Sequence, residues 1–334
     1  MRGEVACRAV TPLSPADGLT WRPASLDDAD RLADLFTAVD EAEDLEEPLG
    51  PDGVRHYLTL PGLDPAADTL VGVTPEGGVA AFAWVWGQET SQAARSLIWA
   101  EAHPGHLDLE RRLLEWAESR ARRRLEAAGP TTRRYLRLHI EEHRRRRRHL
   151  LEALGYHHAR TFVEMHRSLT TALPPVPPPP PEWAIEPWSA ALDEGLRQAC
   201  NQAFAGHWDS LPLDQEQWQQ RVSGDSDFRP DLSRLAVAGG QVGAFCLAAV
   251  DPEYNQREGI AEVWLERIGT RPAHQRRGLA TALILHSLHA SAAAGFTRAG
   301  LGVDQASTSG AGALYEGLGF ASSRRTLAYL KELG

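Results

Sequence analysis

The stretch Gln275-Arg276-Arg277-Gly278-Leu279-Ala280-Thr281 carries the chemistry that is easiest to name. It lies between an apolar run at 263–268 that reads as a strand and a periodic run at 279–292 that reads as a helix. A helix start presents backbone N–H groups without helical acceptors and a partial positive charge, so it suits an anion such as a phosphate. Gly278 lets the backbone approach a bulky group, and Ala280 keeps the first turn slim. Arg276 and Arg277 add positive charge. The pattern is neither Gly-x-x-x-x-Gly-Lys nor Gly-x-Gly-x-x-Gly, which excludes a P-loop and a dinucleotide fingerprint.

The elements around this turn have to hold it in place. Ala280, Ile284 and Leu288 fall on one helical face, and Gly295 follows as a C-cap. A strand ending at Val303-Asp304 comes next, so residues 263–303 read strand, loop, helix, strand, the unit of a parallel pair. Eleven residues beyond Asp304 stands Tyr315, in Leu314-Tyr315-Glu316-Gly317-Leu318-Gly319-Phe320.

The first half repeats this order. Each half opens on a Trp-containing strand (21–23, 183–188) and an acidic amphipathic helix (27–39, 193–204). Each continues to a strand ending in His103-Pro104 or Arg271-Pro272, and to Leu151-Glu152-Ala153-Leu154-Gly155-Tyr156 or its counterpart at 315–320. The offset stays between 162 and 168 residues across these landmarks, so the chain reads as a duplicated domain. Further strands are expected at 70–73, 79–86 and 242–250, and a helix at 109–125. Between the halves, Leu173-Pro174-Pro175-Val176 and the five prolines after it predict an extended spacer.

With loop, following strand and Tyr315 region together, the sequence resembles the GNAT acetyltransferase superfamily. The likeness covers 183–330 best and the whole chain as a tandem pair; Phe204, His207 and Trp208 are also similar to the early helix of tandem members. The resemblance implies an α/β fold, an α+β mixed sheet, as two tandem GNAT-like domains, each a twisted mixed sheet flanked by helices. The expected boundaries are a flexible tail at 1–19, a degenerate N-terminal domain at 20–170, a proline-rich linker at 171–182 and a catalytic domain at 183–334.

The resemblance also assigns roles. Ile268, Gly269 and Thr270 would hydrogen-bond the pantetheine arm of acetyl-CoA through their backbone. Gln275, Arg276, Arg277, Gly278, Leu279, Ala280 and Thr281 would cradle its pyrophosphate. Tyr315 would protonate the departing thiolate. Glu266, on the strand beside the loop, is the candidate base, with Glu262 in reserve. Ser307 stands where an Asn is common. The activity implied is transfer of an acetyl group from acetyl-CoA to a primary amine of a small molecule or peptide; the alternatives are a non-catalytic acyl-CoA-binding regulator and an interaction module using the proline run and a basic helix.

The first half departs from the pattern. Its loop, residues 103–111, lacks Arg and Gly at the positions of Arg276 and Gly278, places Asp108 and Glu110 where phosphates would go, and has Leu151 at the position of Tyr315. Like charge repels a pyrophosphate, so this half is expected not to bind CoA productively.

Composition sets the remaining expectations. The 334 residues are 43% hydrophobic with a net charge of −10, so neither half needs disulfides or metal to fold, and nucleic acid is not the expected partner. Cys7, Cys200 and Cys246 have no paired spacing, which fits a reducing, cytoplasmic setting. No metal, membrane partner or signal peptide is expected, and the chain is expected as a monomer or homodimer. His139, His143, His149, His157 and His158 lie in or beside an Arg-rich helix, 143–149, expected to be a solvated face.

Overall fold

A computed structural model describes residues 18–45, 49–89, 93–129, 133–307 and 309–333. The tail expected at 1–19 therefore lies almost wholly outside the described residues, as does Cys7. The chain forms two compact units, residues 1–160 with 327–334, and residues 161–326.

The first unit is built on strands β1 (Thr20–Arg22), β2 (Thr69–Val73), β3 (Val79–Glu89), β4 (Ala93–Ala102) and β5 (Arg133–Glu141), adjacent in that order. Its helices are α1 (Ala29–Glu43), α2 (Pro51–Leu58), α3 (Pro65–Asp68), α4 (Glu110–Ala127) and α5 (Arg145–Ala153). β3 shows why the sheet is covered on both faces. Ala81, Ala83 and Val85 pack with Leu113, Ala117 and Ala121 of α4, whereas Phe82, Trp84 and Trp86 pack with Leu32, Leu35 and Phe36 of α1. That is the period-2 alternation of a strand between two layers.

The second unit uses β6 (His157–Ser168), β7 (Ala184–Pro187), β8 (Arg234–Ala238), β9 (Gln241–Ala249), β10 (Glu262–Thr270), β11 (Arg298–Asp304) and the first part of β12 (Ala321–Leu333). The order runs β12, β6, β11, β10, β9, β8, β7, with β10 and β11 parallel and the pairs around them antiparallel. Its helices are α6 (Asp193–Phe204), α7 (Gln215–Trp218), α8 (Pro252–Glu258), α9 (Leu279–Ala293) and α10 (Ala311–Gly317). Cys246 and Ala248 of β9 face α9, while Phe245 and Leu247 face α6 and α7. Both units are mixed α/β layers, as the sequence implied.

The boundaries differ from contiguous halves. Residues 161–168, expected in the first domain, belong to the second unit, where β6 pairs along β11 from Arg298↔Ser168 to Asp304↔Phe162. Residues 327–333, expected in the second domain, belong to the first unit, next to β5, where Arg133 and Glu332 meet at 2.6 Å. Each unit is closed by a strand from the other end of the duplication, because backbone groups at a sheet edge take whichever strand completes the ladder. The proline-rich segment lies against the second unit. The His289 ring nitrogen Nε2 is 2.9 Å from the Pro174 carbonyl, and Leu173 and Val176 pack on the core.

Helix α9 also departs from its expected single face. Leu279, Ala282, Leu283, Ile284, Leu285 and Leu288 are all buried, while Ala280 is half-buried. An all-round apolar helix is a covered one, and the proline-rich segment supplies part of the cover.

The arginine run at 143–149 is not simply a solvated face. Arg144 and Arg147 are buried, and both bind the buried Glu101, at 2.9 and 2.7 Å. Arg144 also pairs with Glu43 and Glu141. Burial acts to raise the Glu101 pKa, but Arg147 and Arg144 outweigh it and hold the carboxyl below its usual range. Arg147→Ala would take the closer of two guanidiniums from the buried Glu101, a loss of about 1.5–3 kcal/mol for a hydrogen bond between charged groups. A clear fall in the urea midpoint is expected; an unchanged midpoint would mean that Arg144 alone satisfies Glu101.

Candidate active site

The second unit contains a cavity of about 520 Å³ that gathers most of the residues singled out from the sequence. It exists because two parallel strands part. β10 pairs with β11 only from Glu262↔Arg298 to Trp264↔Gly300, and β10 then runs on to Thr270 without that partner. The indole of Trp264 lies over Gly300, where an added Cβ would come within 2.3 Å of the ring. The register on the β9 side slips between Leu265 and Arg267, a bulge centred on Glu266. Bulges bend a strand and re-aim the extra residue. Glu266 is exposed and lines the cavity.

The strand segment 268–270 lines the cavity too, but its three residues contribute differently. The Arg271 N–H donates to the Gly243 carbonyl at 2.8 Å. By alternation the polar backbone groups of Gly269 also face β9, and those of Ile268 and Thr270 face the gap. Gly269 thus cannot offer the backbone bond expected of it. Its part is steric: an added Cβ would lie 2.4 Å from the Phe245 ring. The Thr270 carbonyl already accepts from the Gln275 side chain at 3.3 Å, which ties the loop to the strand.

In the loop, Arg276 has φ +62° and Gly278 φ +79°, both left-handed. Alternating left-handed residues ahead of a helix turn successive amides toward one concavity, a nest for an anion. Gly278 is the residue before α9, and Leu279, Ala280 and Thr281 are its first three positions, whose N–H groups have no acceptor within the helix. A Cβ added at Gly278 would meet nothing within 4 Å, so the space above the turn is open. Gln275, Arg276, Gly278, Leu279, Ala280 and Thr281 all line the cavity. Arg277 does not: its guanidinium lies 3.5 Å from Glu182 in an exposed pair.

Tyr315, on α10, lines the cavity and is only 6% exposed. Its ring packs edge-on to Phe320 at 6.2 Å. Burial pushes the phenol well above its usual range, so it keeps its proton at neutral pH. Ser307 lines the cavity as well, held by Ser307 N–H to the Asp304 carbonyl at 2.9 Å. Glu262, the reserve base, is absent from the lining; it is buried and bound by Arg298 at 2.6 Å.

Phe162, His207 and Asp304 also reach the cavity, though no site role was read for them in the sequence. Phe162 had no usable signal, because it sits in the closing strand of the first repeat and arrives by the strand exchange. His207 lay in the early-helix likeness, and its titratable ring beside Phe204 was the available hint.

The counterpart in the first unit is built otherwise. α4 opens on Glu110, 3% exposed, whose carboxylate is met by Arg146 at 2.9 Å and by Arg147 at 3.8 Å. Leu151, at the position of Tyr315, is a fully buried core residue. Among the described residues no group of His, Cys, Asp and Glu is arranged to hold a metal ion, and no helix is long and apolar enough to cross a membrane.

Residues 194–320 match the model of the Acetyltransferase (GNAT) family. A mycothiol acetyltransferase of Streptomyces scabiei is 31% identical over 316 residues, spanning 92% of this chain and 90% of that protein. The chain belongs to the GNAT acetyltransferase family. Such enzymes use acetyl-CoA, and this GNAT chain is an acyl-CoA-dependent N-acetyltransferase. The tandem fold has solved counterparts. A GCN5-related N-acetyltransferase from Sphaerobacter thermophilus superposes with a TM-score of 0.75 at 24% identity, covering 95% of this chain and 96% of that one. A tandem GNAT protein from the clavulanic acid biosynthesis pathway gives 0.70 at 17% identity, covering 95% and 99%.

Proposed function

We propose that this GNAT chain acetylates a primary amine of a small molecule or peptide, and that the second unit alone performs the reaction. The observation that carries this reading is a cavity in that unit where the turn before α9, an exposed strand carboxylate and a protonated phenol meet. The related mycothiol acetyltransferase supports a small-molecule acceptor.

The residues fit acetyl-CoA. The N–H groups at the start of α9 and the charge of Arg276 would hold its pyrophosphate, and the gap-facing backbone of Ile268 and Thr270 would receive the amide arm. Bound there, acetyl-CoA supplies an activated acetyl group and a thiol leaving group. An alkyl amine has a pKa of about 10, so its ammonium must lose a proton before the nitrogen can attack. Glu266 takes that proton at its carboxylate, and the bulge presents it to the cavity rather than to the ladder. Tyr315 donates its phenolic proton to the departing thiolate. The first unit, with Glu110 and its arginines at the helix start, contributes no second cofactor site.

Calorimetry with acetyl-CoA should give one site per chain, and a panel of amines followed by free-thiol detection should give turnover with at least one amine. Two sites per chain would overturn the assignment to one unit. Binding without thiol release from any amine would favour a regulator instead.

A further inference from the structure

We infer that His207 is a second proton acceptor of this active site, set against Asp304, and takes one of the two protons the acceptor nitrogen sheds. The inference rests on the proposed amine acetylation. In that reaction an ammonium, R–NH3+, becomes an amide, R–NH–CO–CH3: one C–N bond forms, one C–S bond breaks, and nitrogen loses two protons. One proton is balanced by the new thiol, supplied through Tyr315, and the other leaves to solvent. Glu266 accounts for one departure from nitrogen, and the second needs another acceptor at the cavity wall.

His207 is placed for it. It reaches the cavity from the turn after α6, a different element from those carrying Glu266 and Tyr315. Its position is fixed from both sides. The His207 N–H donates to the Phe204 carbonyl at 2.9 Å, and its ring stands edge-on to Phe204 at 4.7 Å. Asp304, at the end of β11, shares the lining, and its Oδ1 accepts from the Ala306 N–H at 2.9 Å, which anchors the carboxylate. The other titratable or charged groups on the cavity wall are Glu266 from β10, His274 and Arg276 from the loop region and Tyr315 from α10. Asp304 is the one whose charge acts on the His207 ring.

Burial pulls the His207 pKa below its ordinary value, and Asp304 only partly offsets this. The ring is therefore neutral at pH 7, the form that can accept a proton. An imidazolium formed during turnover gains from the negative charge of Asp304 on the same cavity wall.

The test combines ring titration with pH–rate profiles. In the ligand-free chain, the His207 Cε1–H resonance, assigned by His207→Gln, should titrate below about 6.5, and at still lower pH in Asp304→Asn, because a raising charge is gone. Titration at or above that value, or no response to Asp304→Asn, would overturn the pairing. With an amine found by the panel, wild-type kcat/KM should rise with pH through the His207 pKa. His207→Gln should abolish that limb and slow turnover by about 10–100-fold, toward the low end of general-base effects, with acetyl-CoA affinity by calorimetry unchanged. Glu266→Gln should slow turnover but keep the limb. A limb retained in His207→Gln sinks the inference alone. A wild-type chain that binds acetyl-CoA yet acetylates no amine sinks the proposed function and this role with it.

Discussion

Tyr315→Phe is expected to lower kcat by about 10²–10⁴-fold, the usual contribution of a positioned general acid, with acetyl-CoA affinity largely kept. The substitution removes one oxygen and nothing else of the side chain. The ring remains buried against Phe320, so neither the α10 turn nor the core beneath it has reason to move. Because burial holds the phenol above its ordinary pKa, the wild-type enzyme should not lose its acid anywhere between pH 7 and 9, and the activity profile should be flat on that side. Steady-state thiol release together with calorimetric affinity separates the two effects. An unchanged kcat would give the proton to another donor, and a matching loss of affinity would make Tyr315 a packing residue.

Arg276→Glu should weaken acetyl-CoA binding by at least about 10–100-fold, whereas Arg277→Glu should change it little. A hydrogen bond to a charged group is worth about 1.5–3 kcal/mol, and reversing the charge adds repulsion to that loss. The backbone argument does not confuse the comparison. Arg276 already bears the left-handed strain at φ +62°, and glutamate carries the same Cβ there. Arg277 is the internal control: same loop, same charge, adjacent position, yet its guanidinium is spent on Glu182 outside the cavity. Affinity measured at two salt concentrations would sharpen the result, since the Arg276 contribution should shrink as salt screens it. Equal losses in both variants would show that the loop acts through net charge alone.

The contrast between the two units gives these results their setting. In one, a helix start lies open above Gly278; in the other, the helix start carries its own carboxylate, Glu110, already met by arginines from α5. The same fold thus leaves the helix start open in one copy and sets a buried, arginine-bound carboxylate at the helix start in the other. Arg144 and Arg147, which read as part of a solvated run in the sequence, are instead buried against Glu101.

What the sequence determined by itself is what local chemistry encodes. The apolar run of β9, the helix beginning after Gly278 and the turn Leu318-Gly319-Phe320 were readable because each depends on neighbours within a few residues. The duplication was readable because order and spacing survive where side chains do not. Tertiary structure decided everything that depends on which strand lies beside which. It exchanged the closing strands, and so brought Phe162 into a cavity otherwise made by the second repeat. It parted β10 from β11 after Trp264, which opens the site, and it placed a bulge at Glu266, which aims the carboxylate. It also separated Arg276 from Arg277 and brought His207 and Asp304, 97 residues apart in the chain, to the wall of one cavity. Register and long-range pairing are set by the whole ladder and by packing on both faces, and no window of sequence contains that information.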